Sequence, residues 1–79
     1  MTAFALTVTC ASRRGIVAAI SSYLADNGCN ITDAAQFDDK ETGRFFMRVS
    51  FNSETGATLD ALQDGFADKA KSLDMDYTF

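Results

Sequence analysis

The sequence predicts an α+β domain in the order βαββαβ, folded as a four-stranded antiparallel sheet with both helices on one face. Three observations predict it. Apolar residues alternate with polar or small ones near both ends of the chain and again in its middle, the period of a half-buried strand. Between those segments lie two stretches whose apolar residues recur at the spacing of a helix packed on one side. Each handover falls at a glycine or a polar cluster, where a chain turns.

The first strand is predicted over about 3–10, where Phe4, Leu6, Val8 and Cys10 alternate with Ala5, Thr7 and Thr9. A helix over about 13–27 follows, with Ile16, Ile20, Tyr23, Leu24 and Asn27 on its inner side and Ser21, Ser22 and Asp26 outside. Ser12 is placed to cap it by accepting from free backbone N–H groups. Gly28 suits the left-handed position that ends it. The second strand is predicted over about 29–38 and the third over about 44–51, joined by the hydrophilic turn Asp38-Asp39-Lys40-Glu41-Thr42-Gly43. In the third strand Phe45, Met47, Val49 and Phe51 face one way and Phe46, Arg48 and Ser50 the other.

The second helix, over about 56–72, carries the stripe Leu59, Leu62, Phe66, Ala70 and Leu73. Gly65 interrupts it at a cost of about 1 kcal/mol relative to alanine, which packing must offset. A last strand over about 74–79 alternates Met75, Tyr77 and Phe79 with Asp76 and Thr78. Right-handed crossovers then give the strand order 4-1-3-2, the ferredoxin-like plan. That plan hosts many unrelated activities, so function has to come from a site.

At 79 residues the chain is a single domain, 1–79. A domain of this size buries only about 60% of its unfolded surface, so the monomer is marginal. Two cysteines and no histidine supply neither a disulfide framework nor a zinc site. Self-association is the remaining common route to stability, and a homodimer or higher homo-oligomer is expected. The strand over about 29–38 is placed at the sheet edge, rich in Ile, Ala and Phe and with no lysine to guard it.

The net charge of −4 argues against nucleic acid as a partner. Phe46 and Arg48 suit base stacking on the open face of the sheet, but the first strand offers only Ala5, Thr7 and Thr9 beside them. No run approaches the roughly 18 apolar residues of a membrane span. The opening MTAFALT has no basic region ahead of its apolar part, so no secretory leader is read there and a cytoplasmic location is expected. Asp38, Asp39 and Glu41 lack the alternation of a calcium loop and read as a solvated turn. No metal or cofactor is expected. Cys10 and Cys29 fall at opposite ends of two parallel strands with the third strand between them, and a seven-residue strand spans roughly 23 Å. An intrachain bridge is excluded on that spacing.

The stretch Ala11-Ser12-Arg13-Arg14-Gly15 leads a strand into a helix N-terminus, where free N–H groups and the helix dipole favour an anion. Gly15 removes a side chain that would block close approach, and the carboxylate of a free amino acid suits the place. On the sequence pattern alone, the favoured reading of the same residues is a glycine easing a turn, flanked by solvated arginines. Asn30 is either a polar residue bonding its own backbone or a ligand. Within one chain it lies at the far end of the sheet from Gly15. A two-fold axis beside the second strand would bring Asn30 of one chain to Gly15 of the other.

Three segments together carry a resemblance: "LTVTC" followed by "RRGIVAAISSYLADNGCNI", then "AAQFDD", then "TGRFFMRVSF". The chain resembles an ACT domain, a small ligand-sensing module attached to amino-acid and one-carbon enzymes. More narrowly, through "FDDKETGRFFMRV", it is similar to the N-terminal ACT domain of the formyltetrahydrofolate deformylases. The resemblance implies a regulatory, dimerising domain that binds a small amino acid, glycine or methionine. The matching positions are Gly15, Asn30 and Ile31, with Ser12, Arg13, Arg14 and Ile16 completing the loop. The family's loop commonly reads C-P-D-R-P-G; here Pro and Asp are absent, and the contact normally made by Asp falls to Ser12.

The resemblance further implies that the parent protein hydrolyses 10-formyltetrahydrofolate to formate and tetrahydrofolate, in purine and one-carbon metabolism. That chemistry belongs to a C-terminal formyltransferase-like domain with Asn, His and Asp residues. This chain has no histidine, and no catalysis of its own is expected. It reads as the N-terminal part of such an enzyme; the alternative is a free-standing module that dimerises with no bound effector. An acylphosphatase reading of the arginines and Asn30 fails, because the G-x-V-Q-G-V-x-F-R run is missing and Asn30 starts its strand at the wrong end.

Overall fold

The computed structural model describes residues 3–79. Met1 and Thr2, where the absent-leader reading begins, lie outside them. The elements are β1 Ala3–Ala11, α1 Ile16–Asp26, β2 Cys29–Asp39, β3 Arg44–Ser53, α2 Leu59–Ser72 and β4 Asp76–Thr78. The sheet order is β2-β3-β1-β4, with every neighbouring pair antiparallel. This is the ferredoxin-like βαββαβ arrangement that the periodicity predicted.

Alternation decides the two faces of the sheet. Leu6, Val8 and Cys10 of β1 and Phe45, Met47, Val49 and Phe51 of β3 are buried under the helices. Ile16, Ile20, Tyr23 and Leu24 of α1 and Leu62, Phe66 and Ala70 of α2 meet them from above. Phe66 is the hub of an aromatic cluster, edge-on to Tyr23 at 5.2 Å, Tyr77 at 5.0 Å and Phe79 at 5.7 Å between ring centroids. Such contacts add to what simple burial contributes.

The two helices start differently. Thr58 caps α2, its side chain accepting from the Ala61 N–H at 3.2 Å. Asp60 in the first turn and Lys69 and Lys71 in the last complement the helix dipole. In α1 the expected cap by Ser12 is absent. That helix begins at Ile16, with Gly15 as its N-cap and no side-chain cap bond. Ser12 sits outside the first turn because Arg14 and Gly15 form a separate turn between strand and helix. The Ser12 N–H donates instead to Gly43 O at 2.8 Å, tying this loop to the β2–β3 turn.

Gly65 faces Tyr23 across the helix interface. A Cβ built there would lie 2.5 Å from the Tyr23 hydroxyl. That hydroxyl donates to Leu62 O at 2.7 Å across the helix interface. The glycine that weakens α2 in isolation is what lets Tyr23 bond to it.

β2 is an edge strand with one neighbour, β3. A register irregularity between Ile31 and Asp33 marks its beginning, where Thr32 Oγ1 donates to Ser50 O at 3.2 Å. From Thr32 to Asp38 it is exposed on both faces. The helices cover β1 and β3 and leave the outer half of β2 bare.

Candidate functional site

The loop from Ser12 to Gly15 closes the end of the sheet where β1 finishes, β2 leaves and β3 enters. Gly15 adopts φ +92, a left-handed conformation that side chains rarely take. A Cβ at this position would meet nothing within 4 Å. The glycine is required by backbone conformation, therefore, and the space above it is open.

The first bond of α1 runs from the Ala19 N–H to Gly15 O at 2.9 Å. The N–H groups of Ile16, Val17 and Ala18 precede it and have no capping side chain. Arg13 and Arg14 are exposed beside them. Burial pushes the Cys10 thiol above its ordinary value, and the guanidinium groups of Arg44 and Arg13 oppose that shift. Positive potential thus reaches this end of the sheet from β3 and the loop. An uncapped helix start, an open glycine and nearby guanidinium groups together can hold a carboxylate.

Of the residues named from the sequence, Ser12, Arg13, Arg14, Gly15 and Ile16 come together. Asn30 and Ile31 do not join them within one chain. Asn30 pairs with Asn52, and Asn52 with Ala3, at the opposite end of the sheet. Strand alternation places Asn30 on the face away from the helices, while Ile31 packs half-buried against the core. The Asn52 Oδ1 beside it is buried with no hydrogen-bond partner among the described residues.

In the β2–β3 turn the Asp39 carboxylate has local work. Asp39 accepts from the Glu41 N–H at 3.1 Å and from the Thr42 hydroxyl at 3.0 Å. Sequence reasoning placed Phe46, Arg48, Thr7 and Thr9 on the open face but overlooked what joins them from β2. Phe37 pairs with Phe46 and Ala35 with Arg48. The signal was available in the hairpin: Phe37 and Phe46 each lie two residues beyond Asp39 and Arg44, the pair that closes it.

Both cysteines are free and buried, at opposite ends of the sheet. Burial raises the pKa of Cys29 as well. A thiol-specific reagent at neutral pH is expected to label neither in the folded chain and both in denaturant, since the thiolate is the reacting form. The linkage has one sign. Below the ordinary thiol range both states are protonated and the thiols are neutral in effect. As pH rises through that range the unfolded chain ionises first, so stability falls. Rapid labelling under native conditions, or stability that holds flat into the alkaline range, would contradict the burial.

No helix among the described residues is long and apolar enough to cross a membrane. Comparison with known proteins gives the ancestry. The ACT domain family matches residues 4–64. The formyltetrahydrofolate deformylase of Corynebacterium sp. (strain P-1) is 37% identical over 73 residues, covering 91% of this chain and 26% of that protein. The crystal structure of formyltetrahydrofolate deformylase from Burkholderia mallei ATCC 23344 superposes with a TM-score of 0.90 at 33% identity, over 99% of this chain and 27% of that one. An ACT domain protein from Streptococcus pneumoniae gives 0.81 at 28% identity, over 96% and 83% of the two chains. The chain thus spans about a quarter of the length of the curated deformylases it matches, and corresponds to their N-terminal part. By sequence over residues 4–64 and by fold over nearly its whole length, this chain belongs to the ACT domain family.

Proposed function

We propose that this domain is the regulatory, dimerising part of a formyltetrahydrofolate deformylase and that it binds a small amino acid, glycine or methionine. The observation that carries the reading is the start of α1. Gly15 at φ +92 opens onto free space, above a helix whose first N–H groups have no side-chain cap. The carboxylate sits there. Arg13 and Arg14 raise the local potential without a direct contact, and Ser12 is the one hydroxyl within the loop. Hydrolysis of 10-formyltetrahydrofolate is carried out by a domain outside this chain.

The site is completed across a dimer. Edge strand β2, exposed from Thr32 to Asp38, supports antiparallel pairing with a second β2 about a two-fold axis. Such an axis brings the Asn30 end of one strand to the Asp39 end of the other. The Ser12–Gly43 bond holds the loop at that same end. Asn30 of one chain, with Ile31 packed behind it, then faces the loop of its neighbour and binds the amino group or carboxylate.

Light scattering on the 79-residue chain at micromolar concentration is expected to give at least twice 8.5 kDa. A value of 8.5 kDa would refute the dimer. Calorimetric titration with glycine and with methionine is expected to show binding of at least one of them. A dimer that binds neither would leave the dimerising role and remove the effector.

A further inference from the structure

We propose that the open face of the sheet carries a second binding site, for an aromatic carboxylate. The face opposite the helices is not uniformly polar. β1, β3 and β2 present two adjacent rows there, Thr9–Phe46–Phe37 and Thr7–Arg48–Ala35. These six residues line an open groove of about 330 Å³. That is the lower end of the range for small-molecule sites.

The chemistry of the two rows differs. Phe37 is 62% exposed and Phe46 42%, large apolar side chains that a folded chain ordinarily covers. Their rings stand 6.4 Å apart at 34°, an inclined aromatic wall. Arg48 lies one row further, about 7 Å along the strand. Its cross-strand neighbours Thr7 and Ala35 carry no charge. Arg44, on the same face, is bound to Thr9 Oγ1 at 3.3 Å and approaches Asp76 at 3.9 Å. Arg48 makes no ion pair among the described residues. A guanidinium left unpaired beside an aromatic wall, on a chain of net charge −4, complements one kind of small ligand. The ring stacks on Phe37 and Phe46, and the carboxylate takes the guanidinium in a charge-assisted pair. Thr7 and Thr9 are short enough to leave the groove open and offer hydroxyls at its far wall.

The site does not depend on the deformylase reading. One choice of probe does, because the aminobenzoylglutamate half of a folate is an aromatic carboxylate. The test is amide NMR of the isotope-labelled chain with phenylacetate, 4-aminobenzoylglutamate and uncharged phenylacetamide. Phenylacetate is expected to shift the amides of Thr7, Thr9, Ala35, Phe37, Phe46 and Arg48 and to bind at least tenfold more tightly than phenylacetamide. Arg48→Gln should erase that preference, and Phe37→Ala should weaken acid and amide alike. Both positions are exposed, and an unchanged melting temperature confirms that the variants fold.

Binding of phenylacetate with none of 4-aminobenzoylglutamate supports the site and removes the folate connection. Three results overturn the site: no shifts at millimolar phenylacetate, shifts confined to Ser12–Ile16, or Arg48→Gln binding the acid as wild type does. Shifts at the same six residues that depend on protein concentration alone also overturn it, because a second copy then fills the groove.

Discussion

Gly65→Ala is expected to destabilise the chain by roughly 1–3 kcal/mol, yet to stabilise it by up to about 1 kcal/mol when Tyr23 is already phenylalanine. The sign depends on one oxygen atom. The alanine Cβ meets the Tyr23 hydroxyl at 2.5 Å, while the next nearest atom, Cζ of the ring, is at 3.5 Å, an ordinary contact. The hydroxyl has nowhere to swing. Tyr23 is buried, its ring is edge-on to Phe66, and its O–H is committed to Leu62 O. Removing the hydroxyl costs about 1 kcal/mol for the lost bond. With the clash gone, the second substitution recovers the helix propensity that glycine forfeits. Thermal melts of the two single variants and the double variant read this directly, at about 4–8 °C per kcal/mol for a domain of this size. A Gly65→Ala effect of the same sign in both backgrounds would show that the helices are not held at this distance.

The second large effect is on effector binding. Gly15→Val is expected to abolish it, because a side chain there projects into the open space assigned to the carboxylate. Valine also has to adopt φ +92, which costs roughly 1–2 kcal/mol of stability. Gly15→Asn separates the two causes, since asparagine tolerates the left-handed region. It should lose binding with little loss of stability. Asn30→Ala, at an exposed strand position, should leave the fold intact and weaken binding by about 1–3 kcal/mol, the cost of unpaired polar groups. Titration of all three variants with the effector that the wild type binds decides the matter. Wild-type affinity in either Gly15 variant removes the loop from the site, and wild-type affinity in Asn30→Ala removes the amide.

The fold was legible because β1, β3 and the two helices each have one face against the core, and periodicity reports a single buried face. β2 reads less clearly for a physical reason. It is covered on neither side beyond Ile31, so its pattern carries no burial signal and only its flanking turns mark it. The start of α1 shows a different limit. Ser12 has the chemistry of a cap, but the turn at Arg14 and Gly15 intervenes, and a left-handed glycine cannot be told from an ordinary one by its letter. Gly65 appeared as a flaw in an otherwise regular stripe. Its role depends on Tyr23, 42 positions earlier in the sequence, meeting it across the helix interface. Likewise the separation of Gly15 and Asn30 follows from strand order, while their meeting requires a second chain.

That meeting is tested most directly with a mixed dimer, in which one chain carries Gly15→Val and the other Asn30→Ala, purified by two different tags. One of its two sites combines both defects, and the other combines an intact loop with an intact amide. Titration is expected to find one effector bound per dimer at wild-type affinity, although neither homodimer of the variants binds normally. A mixed dimer with no site of wild-type affinity would contradict a site shared between chains.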